Sequence, residues 1–288
     1  MTLFQLVKIA LDALYEEALD EYGKNTDNEI IARFKYLTTS YNDLTNDERE
    51  PVDYKDPATR FAYVYKYVAS HGDYVVRLLT IARQELGTVF NDKTARVTCI
   101  GGGPGSDILA VLKYLADYGS KEPVKKIVCY LLDKEQAWAD TWTELDDKLE
   151  LNDVKLNVNF QPLDVTDPDS WASQKKFLEA DLFTLSYFVS EVIALDNGVV
   201  KKFWATLFKE AKPGALFVYD DNGKDVFNNY FDEQWKAAGL ELIEDGTNTA
   251  WTPSSSEQAS ELALYKAKFG ENPKLKSYLS YRILRKKK

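Results

Sequence analysis

Between residues 97 and 115 a short apolar run, Val97–Ile100, leads directly into Gly101-Gly102-Gly103-Pro104-Gly105-Ser106-Asp107, followed by Ile108, Leu109, Val111, Leu112 and Leu115. The spacing of these last residues is that of one helix face, so the segment reads as strand, glycine-rich turn, helix. Glycine permits positive φ and lets the backbone approach a ligand closely, while the first turn of a helix presents unpaired N–H groups. Four glycines in five positions between a buried strand and a helix cost conformational entropy that a bound group would offset. The segment predicts a cofactor cradle, with Gly103 expected at a positive φ.

After Asn91, strands are expected at Val97–Ile100, Ile127–Leu132, Leu156–Pro162, Asp181–Ser186, Ala215–Tyr219, Leu240–Ile243 and Leu275–Leu284. Helices are expected near Ser106–Tyr118, Glu135–Leu149, Ser170–Leu178, Gly198–Glu210, Val226–Ala238 and Ser255–Lys268. This alternation predicts an α/β fold with a mostly parallel sheet covered by helices on both faces. In such an open sheet, ligands bind beyond the carboxyl ends of the strands, near the reversal of strand order. Ser186-Tyr187-Phe188-Val189-Ser190-Glu191 and Asp220-Asp221-Asn222 should therefore face the cleft.

The first ninety or so residues read as helical. Leu3, Leu6, Val7, Ala10, Leu11, Leu14 and Tyr15 recur at helical spacing, a polar segment follows from Thr39 to Pro57, and a second helical stretch runs from about Ala58 to Leu86. Asp56 and Pro57 form a start signal for it. The chain thus divides into a helical cap, 1–90, and a sheet domain, 91–288. On the second stretch Arg60, Tyr63, Tyr67 and His71 fall at spacings of three and four and are expected to share one face.

Composition narrows the function. The two cysteines, Cys99 and Cys129, lie in apolar runs and the single histidine is His71, so neither a disulfide framework nor a thiolate or histidine metal centre is expected. No run of about eighteen apolar residues occurs, and the expected location is the cytoplasm, away from membranes. The net charge of −10 opposes binding to a phosphate backbone, although seven basic and no acidic residues lie between Lys274 and Lys288.

Strand, Gly101-x-Gly103-x-Gly105, helix resembles motif I of class I S-adenosylmethionine-dependent methyltransferases. The resemblance covers roughly Asn91 to Lys288 and implies a Rossmann-like, seven-stranded, mostly parallel sheet with helices on both faces, here preceded by a helical N-terminal region. It implies S-adenosylmethionine as cofactor, cradled by Gly101, Gly102, Gly103, Pro104, Gly105 and Asp107. An acid at the end of the second strand would bind the ribose hydroxyls, a role that falls to Asp133, with Lys134 beside it. Asp164 and Val165 would stand near the adenine, and Ser186 and Tyr187 after the fourth strand would complete the cofactor site. Lys212-Pro213-Gly214 is similar to the turn before strand five.

There are departures. Cys99 occupies the position two residues before the loop where the family often has Asp or Glu, and the distance from Gly105 to Asp133 is long, with Gly119-Ser120-Lys121-Glu122-Pro123 read as an inserted loop. A nicotinamide-dependent oxidoreductase is the competing enzyme class, but Ser106 fits the third small position of the dinucleotide fingerprint only loosely. A catalytically silent methyltransferase-like binding protein is a further alternative. No Asn-Pro-Pro-Tyr or Asp-Pro-Pro-Tyr follows strand four and no cysteine lies in a loop, which leaves an oxygen or nitrogen acceptor. Tyr67, His71, Tyr187 and Glu191 are the candidate catalytic residues, and Arg60, Tyr63, Tyr67, His71, Asp221 and Asn222 the candidate acceptor-binding ones. The insertion from Trp251 to Asn272 could close the acceptor pocket. A fainter resemblance to eukaryotic ribosomal-RNA uracil-N3 methyltransferases keeps an RNA acceptor as the alternative to a small molecule. The oligomeric state stays open.

Overall fold

The computed structural model describes residues 3–42, 44, 50–90, 92–118, 124–148, 154–252, 260–274 and 276–288. The inserted loop expected at 119–123, parts of the 39–57 segment, residue 91 and the start of the helix expected from Ser255 lie outside these.

Helices α1 (Leu3–Tyr22), α2 (Thr26–Ser40), α3 (Pro57–Tyr63), α4 (Ala69–Ile81) and α5 (Arg83–Val89) precede the sheet. The apolar stripe read from Leu3 onward is buried on α1. Asp56 caps α3, accepting a hydrogen bond from Ala58 N–H with Pro57 in the first turn, as its sequence signal predicts. The single helix expected from Ala58 to Leu86 is interrupted twice. Residues 64–68 are π-helical, and Ala82, at ψ 8°, breaks the chain between α4 and α5. On α4, Gly72 lets the helix close on its neighbours: a Cβ there would stand 3.2 Å from the Leu3 side chain and 3.3 Å from the Ser106 carbonyl.

Seven strands follow, β1 (Thr94–Ile100), β2 (Lys126–Asp133), β3 (Lys155–Pro162), β4 (Leu182–Ser186), β5 (Leu216–Asn222), β6 (Glu241–Trp251) and β7 (Ser277–Arg285). They form one sheet in the order β3-β2-β1-β4-β5-β7-β6, the first five parallel and β7 antiparallel to both of its neighbours. The fold is therefore the Rossmann-like, seven-stranded, mostly parallel sheet with a helical N-terminal region that the sequence implied. Between the strands lie α6 (Ser106–Tyr118), α7 (Ala137–Lys148), the one-turn α8 (Pro168–Trp171) and α9 (Val189–Val192), α10 (Val199–Glu210), α11 (Asp225–Ala237) and α12 (Ala263–Phe269).

Alternate strand residues feed two cores, one on each face of the sheet. Ala95, Val97 and Cys99 pack with α1, α4 and α6, while Ile100, Phe183 and Phe217 pack with Phe203, Trp204 and Phe208 of α10. The first of these cores is continuous from Leu3 to Ile283, so the N-terminal helices are joined to the sheet by packing. The helix expected over Ser170–Leu178 is absent: α8 ends at Trp171, and a 3-10 turn takes Lys176–Glu179. Gln174 and Lys175, three and four residues after Trp171, are polar and exposed, so no continuous apolar helix face joins Trp171 to Phe177 and Leu178.

Candidate cofactor and acceptor site

The strand order reverses between β1 and β4, and the loops after these two strands part at that point. Gly101 (φ 66°) and Gly105 (φ 83°) take the positive φ that the turn after β1 needs. Gly103 does not, contrary to expectation; it must be glycine because a Cβ would stand 2.4 Å from Trp138 and 2.5 Å from the Asp133 carboxylate. A Cβ on Gly105 would run into Trp142, 1.8 Å away, whose indole N–H donates to the Gly103 carbonyl at 2.9 Å. Two tryptophans one turn apart on α7 thus clamp the loop against the end of β2.

Asp133 ends β2 beside this loop. Its Oδ2 accepts from Gly103 N–H and its Oδ1 from Glu135 N–H, each at 2.9 Å, which fixes the carboxylate and leaves a lone pair on each oxygen. Burial pushes the carboxyl up to about 6, against the pull of these donors. Asp133 lines a cleft together with Gly101, Pro104, Lys134, Asp164, Val165, Ser186 and Tyr187. Lys134 Nζ reaches Asp164 Oδ2 at 2.8 Å across the mouth of this cleft. Burial works to raise the Asp164 carboxyl, but Lys134 and Thr166 hold it below the usual carboxylate range.

The second cavity adjoins the first and shares Tyr63, Tyr187 and Glu191 with it. Tyr67, His71, Ser190, Asn222 and Lys274 also line it. His71 is buried, its ring stacked on Tyr187 at 3.9 Å and 10°. Burial, and then the Lys274 charge, hold it well below 6.5, so it is neutral at physiological pH. Tyr187 is a non-glycine residue at φ 53°, a strained backbone fixed by its N–H donating to the Asp220 carbonyl at 2.8 Å. That strain turns its ring into the wall between the two cavities.

Several expected site residues stand behind these walls. Gly102, Gly103 and Gly105 shape the loop without lining the cleft. Asp107 is buried at the start of α6, bonded by Ser106 Oγ at 3.2 Å, and its carboxyl is pushed up to about 6 by burial. Asp221 is buried under Asn222 and accepts from Ser190 N–H at 2.8 Å. Arg60 lines neither cavity. Its side chain is buried and directed away from them by its own partners, donating to the Tyr54 and Lys55 carbonyls and pairing with the Glu17 carboxylate.

The sequence reading missed Trp138, Tyr54, Tyr41 and Lys274. Trp138 and Trp142 carried a signal, their four-residue spacing on the helix after Asp133. Tyr54 lies in the segment read as a polar loop, with its ring 5.5 Å from Trp138 and its hydroxyl bonded to Tyr41. Cys99 is buried and cannot replace the acid often found at its position. Glu191 stands at the junction of the two cavities. Among the described residues no cluster of three metal-ligating side chains occurs, and no helix is long and apolar enough to cross a membrane.

No family model matches the chain, and no curated protein matches it in sequence. Among solved structures, it is similar to a protein of Pyrococcus horikoshii provisionally assigned as an RNA methyltransferase, at 14% identity and a TM-score of 0.44 over 75% of this chain and 86% of that one. It is also similar to a loganic acid methyltransferase with SAH, at 10% identity and 0.40 over 76% and 95% of the chains. A precorrin-6y C5,15-methyltransferase from Geobacter metallireducens matches at 11% identity and 0.39 over 72% and 88%. At TM-scores below 0.5 these likenesses add no weight to a functional reading, which rests on the chain's own loop, strand ends and clefts.

Proposed function

We propose that this chain is an S-adenosylmethionine-dependent methyltransferase acting on an oxygen or nitrogen of a small molecule. The observation that carries the reading is the pair of adjoining cavities, one walled by the glycine loop and the Asp133 carboxylate, the other by tyrosines and His71. When bound, the cofactor supplies an electrophilic methyl on a sulfonium. Asp133 fits a ribose diol, since both of its oxygens are held in place yet keep a free lone pair. The Lys134–Asp164 pair bounds the adenine end, and Trp138 with Pro104 gives the cleft flat apolar walls.

In-line transfer asks the protein chiefly to align the acceptor and exclude water. Tyr63, Tyr187 and Glu191 stand where the two ligands would meet, and Tyr63 and Tyr67 bring the helical cap, residues 1–90, over the acceptor side of the 91–288 domain. Two groups of the basic C-terminus are engaged by the protein itself: Arg285 pairs with Glu85, and Lys286 donates to the Phe208 carbonyl at 2.6 Å. This weakens the case for that segment as an RNA-binding tail and favours a free acceptor in the cytoplasm.

Calorimetric titration with S-adenosylmethionine, S-adenosylhomocysteine and NAD tests the cofactor. Binding of the first two without the third is expected; tight NAD binding with no sulfonium binding would overturn the reading. Methylation assays on total RNA and on a metabolite extract test the acceptor, with label expected in the extract. If RNA carries it, its affinity should fall steeply with salt, and the small-molecule reading fails.

A further inference from the structure

Of the two lysines that line the second cavity, Lys274 is the one that, among the described residues, has neither a salt bridge nor a side-chain hydrogen bond. Lys66, in the same wall, is engaged by Thr38 Oγ1 at 3.1 Å and by Glu271 at 3.8 Å. The Lys274 ammonium instead sits over two rings of the cavity, 5.2 Å from the Tyr187 centroid and 5.7 Å from that of Tyr67. Its backbone is fixed there, because Lys274 N–H donates to the Lys66 carbonyl at 2.8 Å. A half-buried cation without an anion pays for desolvation that a charged ligand can return.

The surrounding groups set the sign of that ligand. From the π-helical segment and α4 come Lys66, Tyr67 and neutral His71; from the residues after β4 come Tyr187 and Glu191; from β5 comes buried Asp221. Glu191 acts on Tyr41, Tyr63 and Tyr67, raising their hydroxyl pKa values after burial has done so. Asp221 is the one carboxylate that acts on Lys274, and it is already held by the backbone N–H groups of Ser190 and Asn222. The cavity is therefore acidic on its Tyr41 and Tyr63 side and basic where Lys274 meets Tyr187 and His71.

We infer that Lys274 is the anion-binding group of the acceptor cavity, and that the acceptor is a planar ring bound as the conjugate base of an acidic O–H or N–H. This inference rests on the methyltransferase reading for its name of acceptor. The acidic proton leaves to solvent as the ring binds. The lone pair left on oxygen or nitrogen then forms the new bond to the methyl carbon, while the carbon–sulfur pair departs with sulfur as a neutral thioether. Lys274 does the work a general base would otherwise do, which suits a cavity whose histidine is buried, neutral and stacked. The tyrosine faces bind the ring, and Asn222 offers an amide to its polar edge.

Two small probes test this on the full chain: 4-nitrophenol, whose absorbance reports its own ionisation, and 4-nitroanisole, its non-ionisable methyl ether. The phenolate should bind about tenfold or more tighter than the ether, a gain typical of a charge-assisted contact, and the bound phenol should ionise at lower pH than the free one. Lys274→Met should abolish both effects and Lys274→Arg restore the preference for the phenolate. Equal binding of the two probes to the wild-type chain overturns the proposal without recourse to any variant, as does an unchanged preference in Lys274→Met. Displacement of nitrophenolate by RNA, lost as salt rises, would overturn the assignment of a free ring. Titration with S-adenosylmethionine keeps the two readings apart: phenolate binding without sulfonium binding sinks the methyltransferase reading and leaves the anion site standing.

Discussion

Asp133 holds its carboxylate between two N–H donors of its own chain, Gly103 and Glu135, so its orientation is set before any ligand arrives. Asp133→Ala should weaken S-adenosylmethionine binding by about 1.5–3 kcal/mol, the range for hydrogen bonds to a charged group, with the fold intact. An unchanged dissociation constant in calorimetry would remove the residue from the site. With its carboxyl pushed up to about 6 by burial, Asp133 loses its charge as the pH falls through that value. Wild-type affinity should drop below about pH 6, and Asp133→Asn should be weak and flat across the same range. At this scale the sequence showed residue types but not their orientation. Asp133, Asp164 and Tyr187 could be located because strand ends and the carboxyl-end rule place them. Asp107 and Asp221 could not be told apart from them, since whether a carboxylate at a strand end points into a cleft or under the next turn is decided by packing. Lys274 read as one member of a basic tail, because nothing local marks which lysine of a run folds inward.

On the scale of elements, the periodic segments were the legible ones. The α6 boundaries, Ser106–Tyr118, coincide with those read from the apolar spacing, and each of the seven strands overlaps its expected run, although β6, expected to end at Ile243, continues to Trp251. The Ala58–Leu86 error comes from the assumption of a single period. The Ala58–Leu86 stretch is interrupted by the π-helical residues 64–68 and again at Ala82, yet Tyr63, Tyr67 and His71 meet as their spacing predicts, while Arg60 is drawn to Glu17. Asp56 governs this element from its start. It caps Ala58 N–H, accepts from Thr59 Oγ1 at 2.8 Å, and binds Arg33 and the Tyr22 hydroxyl. Removing a cap alone costs about 1 kcal/mol, and the lost ion pair adds to it. Asp56→Ala should therefore lower the unfolding midpoint and reduce turnover, because Tyr63 and Tyr67 hang on the helix it starts. Cofactor affinity should hardly change, and a variant whose affinity falls in step with turnover would show that the cap and the cofactor cleft are not separable.

The molecule as a whole concentrates acid at the carboxyl ends of its strands. Burial pushes Asp107, Asp133 and Asp221 up to about 6 and Asp220 well above the usual carboxylate range, with the Asp107 charge adding to Asp220. An acid whose folded pKa lies above its unfolded one binds more protons in the folded state, so its contribution to stability falls as the pH rises from about 4 to 6 and stays lost above that. Asp56, Asp164 and Asp232 act in the opposite sense: desolvation raises each, but their partners win, so the stability they give is present above about pH 4 and is lost as the pH falls below it. Between pH 4 and 6 the raised group dominates, and the net charge of −10 at neutral pH adds repulsion to it. Calorimetric melts should thus place the highest midpoint near pH 4.5–5 and a lower one near pH 7, the reverse of simple acid denaturation. Asp107→Asn, which keeps the shape and removes the buried charge, should raise the midpoint at pH 7 and flatten the profile, by about 1–3 kcal/mol at roughly 1.4 kcal/mol per pKa unit. A midpoint that rises steadily from pH 4 to 7 would mean that these carboxylates find compensation in the folded state. Of these four carboxylates Asp133 alone lines a cleft, so it is through Asp133 that fold stability and the binding of a diol at this end of the sheet are linked.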